Sequence, residues 1–248
     1  MNTKENYSKN NILLCGDIHG DVENILSLIE IAKKYNCSCL MVMGDFGCYH
    51  NIPSFVSFMT AASKSSIDKD IPIHFIKGNH ENHDVLKSYR KTSEVEKNIF
   101  YHPNMNVFTI GNTTFLPVGG ANSVDKAFRK KGYDWFPNEL ITVEEYIKCA
   151  DINGIDVVLS HDCPLGVVLN DRLQDFYPDT LTTKNRRLLQ DIIDEINPKL
   201  LVHGHYHIKY KDKSFGKNIT PVIGLGCNNN INDQWIVFDT NSSIERQV

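Results

Sequence analysis

Three features of the chain predict an α/β fold: short apolar runs, helical periodicity between them, and glycine or polar residues where each run stops. Residues 12–15 form the first run and end at Gly16-Asp17, a buried strand meeting a loop. Val22, Ile25, Leu26, Ile29 and Ala32 then recur at the spacing of one helix face. Residues 40–43 form a second run that again stops at Gly-Asp, here Gly44-Asp45. Residues 52–63 read as a helix, and 71–76 as a third strand running into Gly78-Asn79-His80. Strand, helix, strand, helix, strand at this pitch implies crossover connections and therefore parallel pairing.

The middle of the chain is less regular. Residues 106–110 and 113–118 flank Gly111-Asn112 and predict a hairpin. Gly119-Gly120 follows, then a basic and aromatic stretch over 126–136. The pattern predicts a helix over 142–150, a strand over 156–160 leading into His161, and a helix over 184–196 stopped by Pro198. Another strand, 200–202, runs into His203-Gly204-His205-Tyr206-His207, and 219–224 and 235–238 read as two closing strands. With no repeat, low-complexity tract or linker, residues 1–248 read as a single domain.

Composition narrows the function classes. A chain of 248 residues with 41% hydrophobic content can bury one sizeable core. Its formal net charge of -4 argues against a broad, non-specific grip on nucleic acid and leaves a small nucleotide open. The seven cysteines are scattered and lack paired zinc spacing, and Cys37 and Cys39 read as buried small residues. They fit a reduced set of thiols in the cytosol. No segment reaches the roughly 20 apolar residues of a membrane helix, and residues 1–11 carry no apolar signal-peptide core. The expected location is the cytoplasm, with no membrane partner.

One pattern recurs five times: a short apolar strand ends, and a metal-capable side chain sits just beyond it. The five are Asp17 with His19, Asp45, Asn79 with His80, His161, and His205 with His207. Each alone has an ordinary explanation, since Asp after Gly is common turn chemistry and a lone His is usually a satisfied polar residue. Loops at the carboxyl ends of strands in an open α/β sheet converge on one crevice, so five scattered motifs can share one site.

The ordered set Gly16-Asp17-Ile18-His19-Gly20, Gly44-Asp45, Gly78-Asn79-His80-Glu81, Ser160-His161 and Gly204-His205-Tyr206-His207 resembles the calcineurin-like metallophosphoesterases. The resemblance spans about residues 12–207 and implies a four-layer α/β/β/α sandwich with two mixed β-sheets. It also implies a binuclear centre, in which Asp17, His19 and His207 hold one divalent ion and Asn79, His161 and His205 the other. Asp45 bridges the two in that scheme. Manganese is expected first, with iron, zinc or cobalt as alternatives, because imidazole, carboxylate and amide oxygen suit these ions. Two such ions about 4 Å apart clamp the attacking and leaving oxygens of an in-line displacement and bring a shared water's pKa towards about 7. His80 is not a ligand in the family; its implied role is to protonate the leaving oxygen or to bind the phosphoryl group.

Residues beside these motifs are given plainer roles. Asp21 and Glu81 orient a ligand His, although Asp21 equally suits a cap on the helix that begins near Val22. His203 reads as structural, while His50, His74, His83 and His102 read as surface or packing residues. Cys15, Cys48 and Cys163 lie close to the motifs and read as buried small side chains.

The substrate is less legible. After Gly44-Asp45 the protein Ser/Thr phosphatases continue with a V-D-R-G-type run, whereas this chain has Phe46-Gly47-Cys48-Tyr49 and lacks that phosphate-gripping arginine. The stretch from Gly119-Gly120 to Lys131 supplies other cations, with Arg129 the best bidentate candidate and Lys126 a second substrate-binding candidate. It resembles the insert of RNA lariat-debranching relatives and some small diesterases, which share the plain GDF second motif. A solvated charged loop is the competing reading. Tyr133, Trp135 and Phe136 suit either base stacking or local packing. The expectation is a binuclear-metal-dependent phosphodiesterase on a nucleotide-like or nucleic-acid-derived substrate. A phosphomonoesterase, including a protein phosphatase, is the alternative; a nuclease on long chains or a catalytically silent scaffold ranks lower.

Overall fold

The computed structural model of this chain describes residues 3–5, 9–49, 51–169, 180–242 and 244–246, so His50 lies outside the described residues. One sheet contains β2 (Asn11–Cys15), β3 (Cys37–Val42), β4 (Ile73–Phe75), β5 (Ser93–Glu96), β6 (Ile99–Tyr101), β13 (Trp235–Asp239) and β14 (Ile244–Arg246). Its order is β14-β13-β2-β3-β4-β6-β5. The second sheet contains β1 (Thr3–Glu5), β7 (Phe108–Ile110), β8 (Thr113–Val118), β9 (Val157–Ser160), β10 (Leu200–His203), β11 (Tyr210–Phe215) and β12 (Ile219–Gly224). Its order is β1-β7-β8-β9-β10-β12-β11. Each sheet has a parallel centre, β2-β3-β4-β6 in one and β8-β9-β10-β12 in the other, with antiparallel strands outside it.

Side-chain alternation along the central strands assigns the layers. In β2, Ile12 and Leu14 join Phe115, Val157, Leu159 and Val202 in an apolar layer between the two sheets. Leu13 and Cys15 point the other way, against Ile25, Leu28 and Ile29 of α1 (Val22–Lys34) and Phe58 of α2 (Pro53–Lys69). The second sheet repeats the division. Leu116, Val158 and Leu201 face Leu189, Ile192 and Ile193 of α5 (Thr180–Ile196). Helix, sheet, sheet, helix is therefore the layer order, and both sheets are mixed. Both sheets are covered on both faces, which is why their central strands read as unbroken apolar runs.

Local signals explain the element ends. Asp21 accepts a hydrogen bond from Asn24 N at 3.0 Å and caps α1, and Asn82 Oδ1 accepts from Val85 N at 3.2 Å to cap the short α3 (His83–Leu86). Thr142 and Glu145 form a capping box at the start of α4 (Val143–Ile147), which is shorter than the helix predicted over 142–150 because a 3₁₀ turn, Lys148–Asp151, follows it. Helix α2 continues to Lys69, beyond the predicted end at 63. Two of its buried polar residues blur the apolar stripe: Ser63 Oγ donates to Lys97 O and Ser66 Oγ to Ile71 O. The hairpin predicted over 106–118 is present as β7 and β8. The two closing strands do not pair with each other; β12 lies in one sheet and β13 in the other. Among the described residues, no helix is long and apolar enough to cross a membrane.

Phe115 is fully buried between the sheets, with ring centroids 5.3 Å from Phe108 and 6.1 Å from Phe238. Phe115→Ala is expected to lower unfolding free energy by about 3–5 kcal/mol in urea titrations. Phe128→Ser, at a side chain 94% exposed, should move it by no more than about 0.5 kcal/mol. Equal losses from the two would contradict the layer assignment.

Candidate metal centre

The five motif loops meet at the carboxyl ends of β2, β3, β4, β9 and β10, and backbone hydrogen bonds lock the first two together. Ile18 N and His19 N both donate to Asp45 O, at 3.0 and 2.7 Å. Asp17 is fully buried beneath them, with Oδ1 accepting from His205 N at 3.0 Å and Oδ2 lying 3.0 Å from His207 Nε2. His19 Nε2 lies 3.2 Å from His207 Nε2 and 3.7 Å from Asp17 Oδ2. One oxygen and two imidazole nitrogens thus face a common point, close enough for a single cation.

Asp45 faces both halves of the site. Its Oδ1 accepts from Asn79 N at 2.8 Å and His80 N at 2.7 Å, and lies 3.3 Å from His161 Nε2. Its Oδ2 lies 3.8 Å from His19 Nδ1 and 3.9 Å from His80 Nε2. This approach requires glycine at 78, because a Cβ there would sit 2.1 Å from Asp45 Oδ1. Gly204 makes the same allowance, since its Cβ would lie 2.2 Å from Asp17 Oδ1. His19, Asp45, His205 and His207 all have positive φ, at 53°, 49°, 68° and 57°. Such conformations cost roughly 1–3 kcal/mol each in a non-glycine residue and gather at functional sites.

The second half is organised by hydrogen-bond direction. His161 Nδ1 donates to Met43 O at 2.7 Å, so Nε2 is the ring atom that faces Asn79 Oδ1 at 3.0 Å and Asp45 Oδ1 at 3.3 Å. Protonated, Nε2 donates to these oxygens; unprotonated, it turns a lone pair to the same point and, beside Asn79 Oδ1, suits a cation. The ring of His205 lies against that of His161, with centroids 4.9 Å apart. Asp17, Asp45 and His161 form a further group able to hold an ion.

The electrostatics point the same way. Burial pushes the Asp45 carboxyl up, but His161, His80 and His19 outweigh it and hold it well below the usual carboxylate range. Asp17 is lowered against its burial by His161 and by the hydrogen bond from His207. Burial disfavours charge on His161, yet Asp45 and Asp17 push its pKa up to about 10. The hydrogen bonds of His207 to Asp17 and Cys227 push it up to about 10 as well. Two buried carboxylates thus demand positive charge, which protons meet without metal and divalent ions meet with it. Burial, opposed by Asp45 and helped by Arg129, pushes His80 down to about 4.

The remaining predicted residues are placed as follows. Arg129 Nη2 lies against the His80 ring, 2.7 Å from Nδ1, while its Nε donates to Asp125 Oδ2 at 2.8 Å. Lys126 Nζ donates instead to Asn122 Oδ1 at 3.0 Å, on its own loop. Glu81 accepts from the backbone N–H of Phe46, Gly47 and Gly78, so it pins two loops to each other rather than orienting a His. Asp21 caps its helix as the alternative reading holds. His203 is buried between Gly204 O and the Tyr210 hydroxyl, a structural place. His74, His83 and His102 are buried packing residues, and Cys15, Cys48 and Cys163 are buried. Phe136 is buried too, which leaves it unable to stack a base. Ser123, Glu139 and Cys227 were missed because nothing local marks them: Ser123 Oγ accepts from Asn79 Nδ2 at 3.1 Å, Glu139 holds Ser123, and Cys227 bonds His207.

A four-layer sandwich with paired carboxylates and imidazoles at its strand ends defines the class, and the sequence profile of the calcineurin-like phosphoesterases matches residues 11–209. The chain belongs to that family of phosphoester hydrolases, whose members use divalent metal ions. It is 24% identical to the lariat debranching enzyme of Saccharomyces cerevisiae over 82% of this chain and 58% of that one. It is 24% identical to the lariat debranching enzyme of Entamoeba histolytica over 77% of this chain and 54% of that one, and 26% identical to that of Caenorhabditis briggsae over 85% and 48%. The chain therefore spans about half the length of the curated relatives it matches. A crystal structure of Thermus thermophilus protein TT1561 shares the fold, with a TM-score of 0.54 at 13% identity over 96% of this chain and 97% of that one.

His161 and His207 have folded pKa values of about 10, above the ordinary 6.5. Without metal, their protonation therefore stabilises the fold fully below about pH 6.5, and that contribution is lost as pH rises through about 10. A cation bound here would displace those protons. Added Mn²⁺ is therefore expected to raise the urea midpoint of EDTA-stripped protein more at about pH 8.5 than at about pH 6. A margin that stays constant or shrinks with pH would show that ions and protons do not compete for this site.

Proposed function

We propose that this chain is a binuclear-metal phosphodiesterase acting in the cytoplasm on a nucleotide-like or nucleic-acid-derived ester, with manganese as the first candidate ion. The carrying observation is Asp45, whose Oδ1 accepts the Asn79 backbone N–H and lies 3.3 Å from His161 Nε2, while Oδ2 faces His19 and His80. A carboxylate so placed serves both halves of the site. In this reading Asp17, His19 and His207 hold one ion, Asn79, His161 and His205 the other, and Asp45 both. When bound, such ions would supply Lewis acidity and lower the pKa of a coordinated water.

The protein's own residues then handle the phosphoryl group. His80 is neutral near pH 7 and offers a ring N–H to a phosphoryl oxygen beside the Asp45 edge. In this reading Arg129, which sits against it, takes the ester's negative charge, and Lys126, bonded to Asn122 on the same loop, adds to the local positive charge. Two points favour a diester. The lariat debranching relatives are the curated proteins this chain matches, and the stretch after Asp45 is core: Phe46 packs on Phe75 and Phe58, at 4.9 and 5.0 Å. No arginine grips a phosphate monoester from there.

The test compares bis-p-nitrophenyl phosphate with p-nitrophenyl phosphate after EDTA stripping and Mn²⁺ addition. Metal-dependent preference for the diester is expected; preference for the monoester would overturn the diesterase reading. Asp45→Asn should abolish turnover and bind fewer than two Mn²⁺ per chain, and a variant keeping both would remove Asp45 as the bridge. His80→Ala should keep two ions while turnover falls about 10²–10⁴-fold. Unchanged turnover would refute its assigned role.

A further inference from the structure

An asparagine is an ambiguous metal ligand, because its side chain carries an oxygen at one end and NH₂ at the other in nearly the same shape. Only the oxygen can face a cation, so something must hold the amide the right way round. At Asn79, Oδ1 lies 3.0 Å from His161 Nε2, and Nδ2 donates to Ser123 Oγ at 3.1 Å. The Ser123 hydroxyl has a single proton, which is committed to Glu139 Oε2 at 2.6 Å. The other Glu139 oxygen accepts Ser123 N–H at 2.9 Å. Burial raises the Glu139 pKa and its hydrogen bonds with Ser123 oppose this; once ionised, the carboxylate only accepts, and the direction of every bond in the chain is forced. Asn79, Ser123 and Glu139 are 3%, 1% and 2% exposed, which leaves little room for water to offer another partner.

We propose that Glu139 is a positioning residue that acts through Ser123 to present the amide oxygen of Asn79 to the second metal ion. The inference rests on the reading of Asn79 as a ligand. It also gives the basic loop a second task. Asn79 and His80 are adjacent in the chain, and each is held by a residue from the 119–139 stretch, Ser123 in one case and Arg129 in the other. The loop that offers cations to the substrate thereby orients a ligand of the centre. Nothing local in the sequence marks Glu139 for this task, since it lies 60 positions from Asn79 and meets it only in the folded chain.

Glu139→Gln is the informative change because it alters direction while preserving shape. The new NH₂ donates to Ser123 Oγ, the serine proton turns towards residue 79, and the amide there is driven to reverse and present NH₂ to the metal. Asn79→Asp removes the ambiguity, since both ends of its side chain are oxygens. Mn²⁺ binding is read by equilibrium dialysis, and EPR separates an exchange-coupled ion pair from a single ion. Glu139→Gln should weaken the second ion about 10–100-fold and leave a mononuclear spectrum. In the Asn79→Asp background the same change should cost less than about threefold and keep the coupled pair. A merely structural role for Glu139 predicts the same loss in both backgrounds, and that result would overturn the proposal, as would wild-type affinity in Glu139→Gln alone. Should Glu139→Gln fail to fold by circular dichroism, Ser123→Ala carries the same comparison in both backgrounds. Asn79→Ala separates the two readings: retention of both ions refutes Asn79 as a ligand, whereas loss of one ion there beside an unaffected Glu139→Gln refutes only the positioning role.

Discussion

Two like charges buried side by side set the terms for the rest of this site. Asp17 is fully buried and Asp45 nearly so, with His161 close to both. An isolated buried carboxylate is strongly disfavoured, and a pair repel each other as well, so the fold must surround them with donors and positive charge. Backbone N–H groups of Asn79, His80 and His205, and the imidazoles of His19, His161 and His207, are what it uses. The glycines at 78 and 204 follow from the same demand, because a side chain at either would displace the carboxylate it adjoins.

The sandwich is what brings these groups together. Its inter-sheet layer of Leu14, Met41, Phe115, Leu159 and Val202 holds the two parallel centres in one orientation. The loops after β2, β3 and β4 then face those after β9 and β10. Buried hydrogen bonds finish the alignment: Glu81 draws the second and third loops together, and Asp162 accepts from Asn185 and Tyr206, beside His161 and His205. A rigid frame of this kind lets several residues stay in left-handed backbone conformations that an isolated loop would relax.

Legibility in the sequence followed burial and chain separation. The central strands and helices α1 and α5 were readable because a covered element shows its period directly, as Leu13, Ile25 and Leu28 do. Strands β5 and β11 were not, because they lie at sheet edges and carry exposed Glu, Lys and Asp side chains whose alternation is weak. Glu81 was noticed for its place in a motif, yet its task is to hold backbone, which no side-chain pattern reveals. Ser123 and Cys227 bond Asn79 and His207 across 44 and 20 positions, Glu139 reaches Asn79 through Ser123 across 60, and no local spacing carries that kind of contact.

The sequence by itself determined the class of chemistry. Carboxylate, imidazole and amide at the ends of successive apolar strands leave few uses other than holding metal ions, because strand ends in such a fold converge. It also determined the layer order once the family resemblance was in hand. Tertiary structure alone decided where the flanking side chains point. Arg129 meets His80 and Lys126 turns to Asn122, although the two are three positions apart on one basic loop. The reason is physical: ligand identity is written in side-chain type, whereas the direction a side chain faces depends on packing and hydrogen bonds from parts of the chain that only folding brings near.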